Sequence, residues 1–416
     1  MKQPRHWFIY TNNQSNKKRF LDQLYTGAYL EEYGQCSQDK TRLFSDSEID
    51  RLISEEERHD FKTVTTPNDQ PLNAMSSGEQ KKALFSELVK HPPELLILDN
   101  PFTHLDMASQ SELKQLLSEI ATQSSIIQLS SRVADKLPFI KRCSVLQADH
   151  QITAISEADL KTHSFPKHIV LNSKNIPPPL KPMEMEGKEV IVFDAVNVSF
   201  AERPILQNIN WTVNKGEFWQ LSGKNGSGKT TLLSMITGEN TKGYGQNLVL
   251  FGKLKGSGES LWEIKKQIGY VTPAMTRLFN GYHSVVNMVV SGLFDSVGLY
   301  QKPSDLQLNL AAQWLEVLNL KPLKPTNFKD LSLGQQRLVM IARAMIKHPP
   351  LLILDEPTAD LDDDSAALFV ALVNKIAQES DTAIIYVSHS LEPSLQPSHH
   401  YLLEANALGS TGKVVT

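Results

Sequence analysis

The sequence has few cysteines and no long apolar run. Two cysteines, Cys36 and Cys143, among 416 residues exclude a disulfide-stapled fold and a cysteine-based metal site, so both are predicted to be small buried side chains in a reducing compartment. The apolar run near the N-terminus, residues 7–10, is too short for a signal peptide. No segment approaches the ~18–20 apolar residues that cross a bilayer. These absences predict a cytoplasmic chain without a membrane span, at most peripheral to the inner face of the membrane.

The sequence also lacks an excess of charge of one sign. Its net charge is −4, with 21% charged and 40% hydrophobic residues, as in ordinary soluble proteins. It therefore lacks the strongly basic balance of a typical nucleic-acid-binding protein, although a single basic patch remains compatible with this total. A chain of 416 residues is long enough for two or three domains, each with its own apolar core.

Prolines concentrate in one segment, residues 164–188, which has few apolar clusters and contains Ile176-Pro177-Pro178-Pro179-Leu180-Lys181-Pro182. Consecutive prolines favour an extended conformation and cannot continue a helix or a central strand. The segment is predicted to be a Pro-rich linker between domains at 1–163 and 189–416. The alternative is a surface loop within one domain.

The two sides of this linker repeat each other. A constant offset of 256 residues relates three motifs of the first half to three motifs of the second, which argues for an internal duplication. The pairs are Ser76-Ser77-Gly78-Glu79-Gln80 with Ser332-Leu333-Gly334-Gln335-Gln336, Leu95-Leu96-Ile97-Leu98-Asp99-Asn100-Pro101 with Leu351-Leu352-Ile353-Leu354-Asp355-Glu356-Pro357, and Leu105-Asp106 with Leu361-Asp362. Helical patterns alternating with apolar runs that end in Asp predict an α/β fold with parallel sheets flanked by helices.

The second half contains a phosphate loop, which follows an apolar run and precedes a helical pattern as this motif requires. Glycines allow the backbone N–H groups to turn toward phosphate oxygens, and the N-terminus of the following helix adds its positive dipole. Lys229 is predicted to bridge the β- and γ-phosphates, and the Thr230 hydroxyl to bind Mg²⁺. The predicted ATP-binding residues here are Gly223, Asn225, Gly226, Ser227, Gly228, Lys229, Thr230 and Thr231.

Two acids follow a predicted buried strand, residues 351–354. Asp355 is placed to hold Mg²⁺, and Glu356 to orient and deprotonate the attacking water. Adjacent acids after a strand usually belong to a solvated loop, but their pairing with a phosphate loop favours the catalytic interpretation. His389 ends a further predicted strand. A lone histidine there is more often structural, and its position after the Asp-Glu strand makes it a candidate γ-phosphate contact.

These elements, in this order, resemble the ABC (ATP-binding cassette) ATPase family, whose distinguishing signature precedes the Asp-Glu strand as Leu331-Ser332-Leu333-Gly334-Gln335 and, in the first half, as Met75-Ser76-Ser77-Gly78-Glu79. The resemblance implies two cassettes that pair head to tail, so that the signature of one caps the ATP held by the other. Pairing within one chain would place Ser76, Ser77 and Gly78 against the γ-phosphate. It also implies that Phe200 stacks on adenine, although an aromatic in a strand is as often core, and that Asp362 belongs to the nucleotide site.

The first half departs from the family pattern. Aligning residues 9–18 on residues 221–230 keeps the lysine as Lys17, but loses every glycine and places Lys18 at the threonine position. Asn100 replaces the catalytic Glu, and Ser131 stands at the position of His389. The sequence therefore predicts two phosphate-loop cassettes in tandem, the first truncated and degenerate, the second complete. One composite site would hydrolyse ATP with Mg²⁺.

Several segments resemble tandem-cassette proteins associated with molybdate-transport genes, some of which carry a photorepair label: Arg203-Pro204-Ile205-Leu206, Gly256-Ser257-Gly258-Glu259, Ile264-Lys265-Lys266, Ile268-Gly269-Tyr270-Val271 and Ser291-Gly292-Leu293-Phe294-Asp295-Ser296. This resemblance implies the energy subunit or a regulator of a molybdate-type importer, with a membrane-spanning subunit as partner. However, Thr272-Pro273 stands where the family has the Pro-Gln pair that couples to membrane domains. The alternative is therefore a non-transport ABC ATPase that acts on nucleic acid or ribosomes. A nucleotide-gated module with negligible turnover is disfavoured by Glu356 and His389.

Overall fold

The computed structural model describes residues 4–12, 15–26, 40–59, 64, 70–75, 77–147, 151–163, 171–183, 185, 187–278, 282–388 and 392–415. The chain divides into two compact units. The first comprises Met1–Lys167 together with Asp360–Asp364, and the second comprises His168–Ala359 together with Ser365–Thr416.

The first unit is built on one six-stranded sheet with the order β2-β3-β4-β1-β5-β6. Neighbouring strands are parallel except for β6, which pairs antiparallel with β5 at the edge. The strands are β1 (His6–Thr11), β2 (Thr41–Phe44), β3 (Leu95–Asp99), β4 (Ser125–Ser130), β5 (Arg142–Leu146) and β6 (Ile152–Ile155). The helices are α1 (Lys17–Thr26), α2 (Asp46–His59), α3 (Ser77–Lys90), α4 (Met107–Ile120) and α5 (Glu157–His163), with short 3-10 turns at Leu72–Ala74 and Val133–Asp135.

Strand β1 shows that both faces of this sheet are buried. Its residues are buried along almost their whole length, with Phe8 and Tyr10 in one apolar cluster and Trp7 and Ile9 in another. Both faces of the sheet are therefore covered, as a parallel sheet requires. Burial of each such side chain contributes roughly 1.5–3 kcal/mol before the entropic cost of ordering the chain.

The second unit has two sheets. A four-stranded antiparallel sheet has the order β11-β10-β7-β8, and a six-stranded sheet has the order β12-β13-β14-β9-β15-β16. The strands are β7 (Glu189–Phe200), β8 (Arg203–Asn214), β9 (Phe218–Gly223), β10 (Leu248–Leu250), β11 (Lys253–Leu254), β12 (Ile268–Val271), β13 (Leu351–Asp355), β14 (Ala383–Val387), β15 (His399–Glu404) and β16 (Thr411–Val415). The helices are α6 (Lys229–Ile236), α7 (Leu261–Lys266), α8 (Pro273–Leu278), α9 (Val285–Ser291), α10 (Asp305–Val317), α11 (Leu333–Met345) and α12 (Asp363–Glu379), with 3-10 turns at Thr241–Gly243, Gly292–Phe294, Lys321–Leu323 and Phe328–Asp330.

The two six-stranded sheets share one topology. Replacing β2-β3-β4-β1-β5-β6 by β12-β13-β14-β9-β15-β16 reproduces the order and every strand direction. Strands β1 and β9 each span six residues, and α1 and α6 begin at Lys17 and Lys229, so the predicted correspondence holds at an offset of 212 residues. The predicted α/β fold with two phosphate-loop cassettes in tandem is confirmed. Within the described part of the first unit, the antiparallel sheet has no counterpart.

The described part of the proline-rich segment belongs to the second unit. Ile176 N–H donates to the Glu379 carboxylate at 2.8 Å, and the Pro177 carbonyl lies 2.6 Å from Nε2 of His348. Cys143 is buried as predicted, whereas Cys36 lies outside the described residues. Every described helix is too short or too polar to cross a bilayer.

Candidate functional site

A cavity of about 520 Å³ in the second unit combines the phosphate loop with the acidic end of β13. It forms where β9 and β13, on either side of β14, deliver their carboxyl ends to the same edge of the sheet. Crevices at this edge are where ligands bind in parallel α/β sheets. The residues lining it are Arg203, Ile205, Asn225, Gly226, Gly228, Lys229, Thr230, Thr231, Pro273, Asp355 and Glu356.

Two glycines of the loop occupy positions that other residues would not fit. Gly228 has φ +90°, and a Cβ there would lie 2.7 Å from Cδ2 of Leu206. A Cβ at Gly223 would lie 2.6 Å from Oγ of Ser227 and 2.7 Å from the carbonyl oxygen of Leu403. Because all three distances are shorter than real Cβ contacts, the loop keeps its shape only with glycine, and it leaves its backbone open to a ligand.

The polar groups of the loop fit a phosphate ligand. The Lys229 ammonium donates to the carbonyl oxygens of Gly223 at 2.8 Å and Lys224 at 3.1 Å, so it lies inside the turn of the loop. The Ser227 hydroxyl is buried and has no hydrogen-bond partner in the described structure. A buried polar group without a partner is costly, and phosphate oxygens supply the acceptors that such a group lacks.

Asp355 and Glu356 differ in how the strand holds them. The Tyr270 hydroxyl donates to Asp355 at 3.4 Å, and burial together with this carboxylate raises the pKa of Tyr270. Glu356 has φ +47°, a left-handed conformation, and its N–H donates to the carbonyl of Val387 at 3.0 Å. That turn breaks the strand direction directly after Asp355, and both acids line the cavity.

The donor set also fits Mg²⁺. Across the described residues, no group of three or more His, Cys, Asp or Glu could hold a metal by itself. Mg²⁺ bound with nucleotide needs only one or two protein oxygen ligands besides phosphates and water. Thr230 and Asp355, both on the cavity wall, supply a hydroxyl and a carboxylate of that kind.

Some predicted site residues lie elsewhere. Phe200 is 45% exposed at the end of β7 and is therefore not core; it pairs in register with Arg203, which lines the cavity. Asp362 is buried, outside the cavity lining, and directly precedes α12. Its counterpart Asp106 caps α4 by accepting from Ser109 N–H at 2.8 Å, so the motif has a capping role in the first unit.

The signature residues begin helices in both units. Helix α11 begins after Ser332, whose side chain accepts from Gln335 N–H in a capping box, and α3 begins at Ser77 with Gly78 in its first turn. Ser76, the side chain of Ser77 and His389 lie outside the described residues.

The sequence alone indicates no role in the nucleotide site for three of the lining residues, which are Arg203, Ile205 and Pro273. Pro273 is held by the signature helix, because the buried Arg337 of α11 donates to the carbonyl oxygens of Thr272 at 3.2 Å and Pro273 at 3.1 Å. Pro273 could have been singled out from the sequence, because Thr272-Pro273 departs from the family's Pro-Gln pair. No local pattern marked Arg337, since its partners lie more than sixty residues away.

The corresponding place in the first unit contains an ion pair. The Lys17 ammonium lies 2.7 Å from the Asp99 carboxylate, whereas Lys229 bonds to loop carbonyls. Asn100 matches Glu356 in conformation, with φ +45° and its N–H bonded to the carbonyl of the strand residue Leu129 at 3.0 Å. Its side-chain oxygen accepts from the N–H of Ser131 at 3.1 Å. The backbone is thus retained while the reactive groups are replaced.

Comparison with known proteins agrees with this geometry. The profile of the family described as "ABC transporter" matches residues 206–359. The chain is 38% identical over 343 residues to the ABC transporter ATP-binding protein ModF of Escherichia coli, covering 79% of this chain and 69% of that protein. It is 31% identical over 328 residues to an uncharacterized ABC transporter ATP-binding protein of Schizosaccharomyces pombe, covering 76% of this chain and 65% of that protein.

Among solved structures, the chain is similar in fold to ABCE1 in a structure described as a model of ribosome-bound archaeal Pelota and ABCE1. The TM-score is 0.63 at 14% identity, and the match covers 100% of this chain and 75% of that one. An identity this low establishes the fold alone. The sequence match to ModF and the family profile together establish that this chain belongs to the ABC transporter ATP-binding proteins and is an ATP-binding, ATP-hydrolysing protein.

Proposed function

We propose that the second unit carries the one hydrolytic site and that the first unit is its non-hydrolysing partner. The observation that carries this proposal is that one cavity is lined by Lys229 and Thr230 together with Asp355 and Glu356. Phosphoryl transfer needs positioning and electrostatic stabilisation more than covalent chemistry, and these four side chains supply both.

Each residue has a defined task in this proposal. The backbone of residues 223–228 and the Lys229 ammonium bind the phosphates, and the carboxylate of Glu356 orients a water and accepts its proton. Thr230 and Asp355 would hold Mg²⁺, which neutralises phosphate charge when bound. Phe200 stacks on the adenine ring, and Arg203 beside it contacts the nucleotide at the mouth of the cavity. His389 contacts the γ-phosphate.

The first unit lacks the groups for this chemistry. Lys17 is engaged by Asp99, and the Asn100 amide cannot accept a proton from water. Its signature is retained, which is why we assign it the partner role: Ser76, Ser77 and Gly78 cap the ATP held by the second unit of the same chain.

A pair of glycine variants tests the pairing. Gly78→Asp would place a carboxylate against the γ-phosphate, and like charges in a poorly hydrated site repel by several kcal/mol, so hydrolysis should be abolished. Gly334→Asp, the matched change in the second signature, should reduce hydrolysis far less. A homodimer of second units predicts the opposite ranking. Activity recovered on mixing Lys229→Ala with Gly78→Asp chains would show a site formed between chains and exclude the within-chain model.

For the cellular role, we propose the energy subunit or a regulator of an importer of molybdate type, bound to a membrane-spanning subunit at the cytoplasmic face. Similarity to ModF supports this role. The Glu356→Gln form, locked on ATP, should co-purify with a membrane protein from solubilised membranes. Lys229→Ala, which cannot clamp ATP, is the matched control.

A non-transport ABC ATPase that acts on nucleic acid or ribosomes is the second candidate. It is favoured by Pro273, which presents a ring to the cavity where transporters of this family place a coupling glutamine. The same pull-down separates the two roles, because the second candidate predicts capture of nucleic acid and no membrane protein.

A further inference from the structure

One surface of the second unit exposes large aromatic side chains beside lysines. Tyr244 and Trp262 are each 53% exposed, and Leu254 between them in sequence is also exposed. Buried apolar area is what normally stabilises such side chains, so two large exposed aromatics on one surface point to a binding partner. We define the aromatic–lysine surface as Tyr244, Lys253, Leu254, Trp262 and Lys266.

The surface is contiguous although its residues come from three elements. Tyr244 follows the 3-10 turn Thr241–Gly243, and its ring lies against Gly256, where a Cβ would be 3.1 Å from Cδ1 of the ring. Lys253 and Leu254 form β11, which pairs with β10. A Cβ at Gly238 would lie 2.8 Å from Cδ1 of Leu261 in α7 and 3.5 Å from Nζ of Lys255, so α7 packs beside the lysine that contacts the Tyr244 ring.

An ammonium lies close to each ring. Lys255, whose side chain is fully buried, places Nζ 4.7 Å from the centroid of Tyr244 and 3.3 Å from Glu259. Nζ of Lys266 lies 5.8 Å from the centroid of Trp262. Both distances are in the cation–π range. The buried ammonium of Lys255 therefore orients the exposed ring of Tyr244.

The remaining charges leave the surface positive. Glu239 pairs with Lys265, Glu259 pairs with Lys255, and Glu263 is used in the cap of α7. Throughout the described ranges, Lys253 and Lys266 form no ion pair. Together with Lys255 and Lys265, these two lysines outnumber the acids Glu239, Glu259 and Glu263 by one, so the surface is positive on a chain whose net charge is −4.

We propose that the aromatic–lysine surface binds single-stranded nucleic acid without sequence preference, with bases stacked on Tyr244 and Trp262 and phosphates on the lysines. Aromatic stacking platforms combined with cationic side chains are how proteins bind single strands. Protein–protein interfaces, by contrast, are depleted in lysine. The inference rests on the second candidate function, an ABC ATPase that acts on nucleic acid, and assigns the contact to a surface none of whose residues lines the ATP cavity.

The test is fluorescence anisotropy of the full chain with a labelled 20-nucleotide oligouridylate and with the DNA of the matching sequence. Trp262→Ala and Tyr244→Ala should each weaken binding by about 5- to 150-fold, the equivalent of a stacked base. The double variant Lys253→Ala, Lys266→Ala should lower the salt slope by roughly 1.4, or ~0.7 for each phosphate contact to a single strand. The two arms identify whether RNA, DNA or both are bound.

Tyr300→Ala is the matched control, since Tyr300 is 84% exposed and lies outside this surface. All variants should keep the ATP affinity of the unmodified chain, which excludes misfolding as the cause of lost binding. The proposal is overturned if neither oligonucleotide binds at low salt. It is equally overturned if Trp262→Ala and Tyr244→Ala bind as well as Tyr300→Ala, or if the surface binds a protein instead.

Discussion

The ammonium of Lys17 lies 2.7 Å from the carboxylate of Asp99, at the positions that Lys229 and Asp355 occupy in the second unit. The lysine that would bind phosphate and the acid that would bind a metal thus neutralise each other. A nucleotide would have to separate this half-buried pair before it could bind, and the energy for that must come from its own contacts.

The first prediction compares the two corresponding lysines, Lys229 and Lys17. Lys229→Ala should lower ATP turnover by a factor of 10² or more, because the phosphates lose their principal cation. Lys17→Ala, the same change at the corresponding position, should leave turnover within about twofold. Steady-state phosphate release by the two purified variants measures the difference. Equal losses in both would mean that the first unit also binds catalytic nucleotide.

Glu356→Gln removes the proposed general base, which typically contributes 10²–10⁴-fold to rate, while leaving the ATP-binding groups in place. We expect this variant to retain one tightly bound ATP per chain. Isothermal titration calorimetry with ATP and Mg²⁺ gives the stoichiometry. Two equivalent tight sites would contradict the role assigned to the Lys17–Asp99 pair. Asn100→Glu alone should not create a second active site.

Two glycines of the phosphate loop should differ in their tolerance of alanine. Gly228→Ala combines an unfavourable φ of +90° with a Cβ 2.7 Å from Leu206, whereas at Gly226, with φ +76°, a Cβ would meet nothing within 4 Å. A left-handed alanine costs roughly 1–2 kcal/mol, and a clash in a packed site adds about 1–3 kcal/mol. Gly228→Ala should therefore lower the thermal denaturation midpoint and the ATP affinity more than Gly226→Ala does. The reverse order would contradict the loop geometry.

Asp363 gives a pH-dependent prediction. It belongs to the first unit, where its carboxylate accepts from Val133 N–H at 2.9 Å, and burial raises its pKa to about 6. Because the folded state binds this proton more tightly than the unfolded state, stability falls as pH rises from about 4 to 6, by at most about 3 kcal/mol.

Asp363→Asn should remove that loss, so its stabilising effect should appear at pH 7.5 and be small at pH 4.5. Urea denaturation at the two pH values measures it, with the exposed Asp381→Asn as control. An equal effect at both pH values would exclude titration of Asp363 as the cause.

The sequence alone predicts the repeat and most of the residues that line the cavity at the edge of the second unit's sheet. The phosphate loop and the Asp-Glu pair depend on local backbone geometry, so their residue types and spacing reveal them directly. Arg203 and Pro273 reach the same cavity only because β8 and β12 lie near the loop in the folded unit. The Lys17–Asp99 pair likewise joins residues 82 positions apart, which no local pattern encodes.

Asn100 and Glu356 occupy the same left-handed turn, with φ +45° and +47°. Asparagine enters this region of backbone space far more readily than glutamate. The two units therefore compare two residues in one backbone conformation: the first has the residue that this conformation prefers, and the second has one that it strains. Glu356, the proposed general base, therefore costs stability, and its replacement by asparagine should make the protein more stable and inactive.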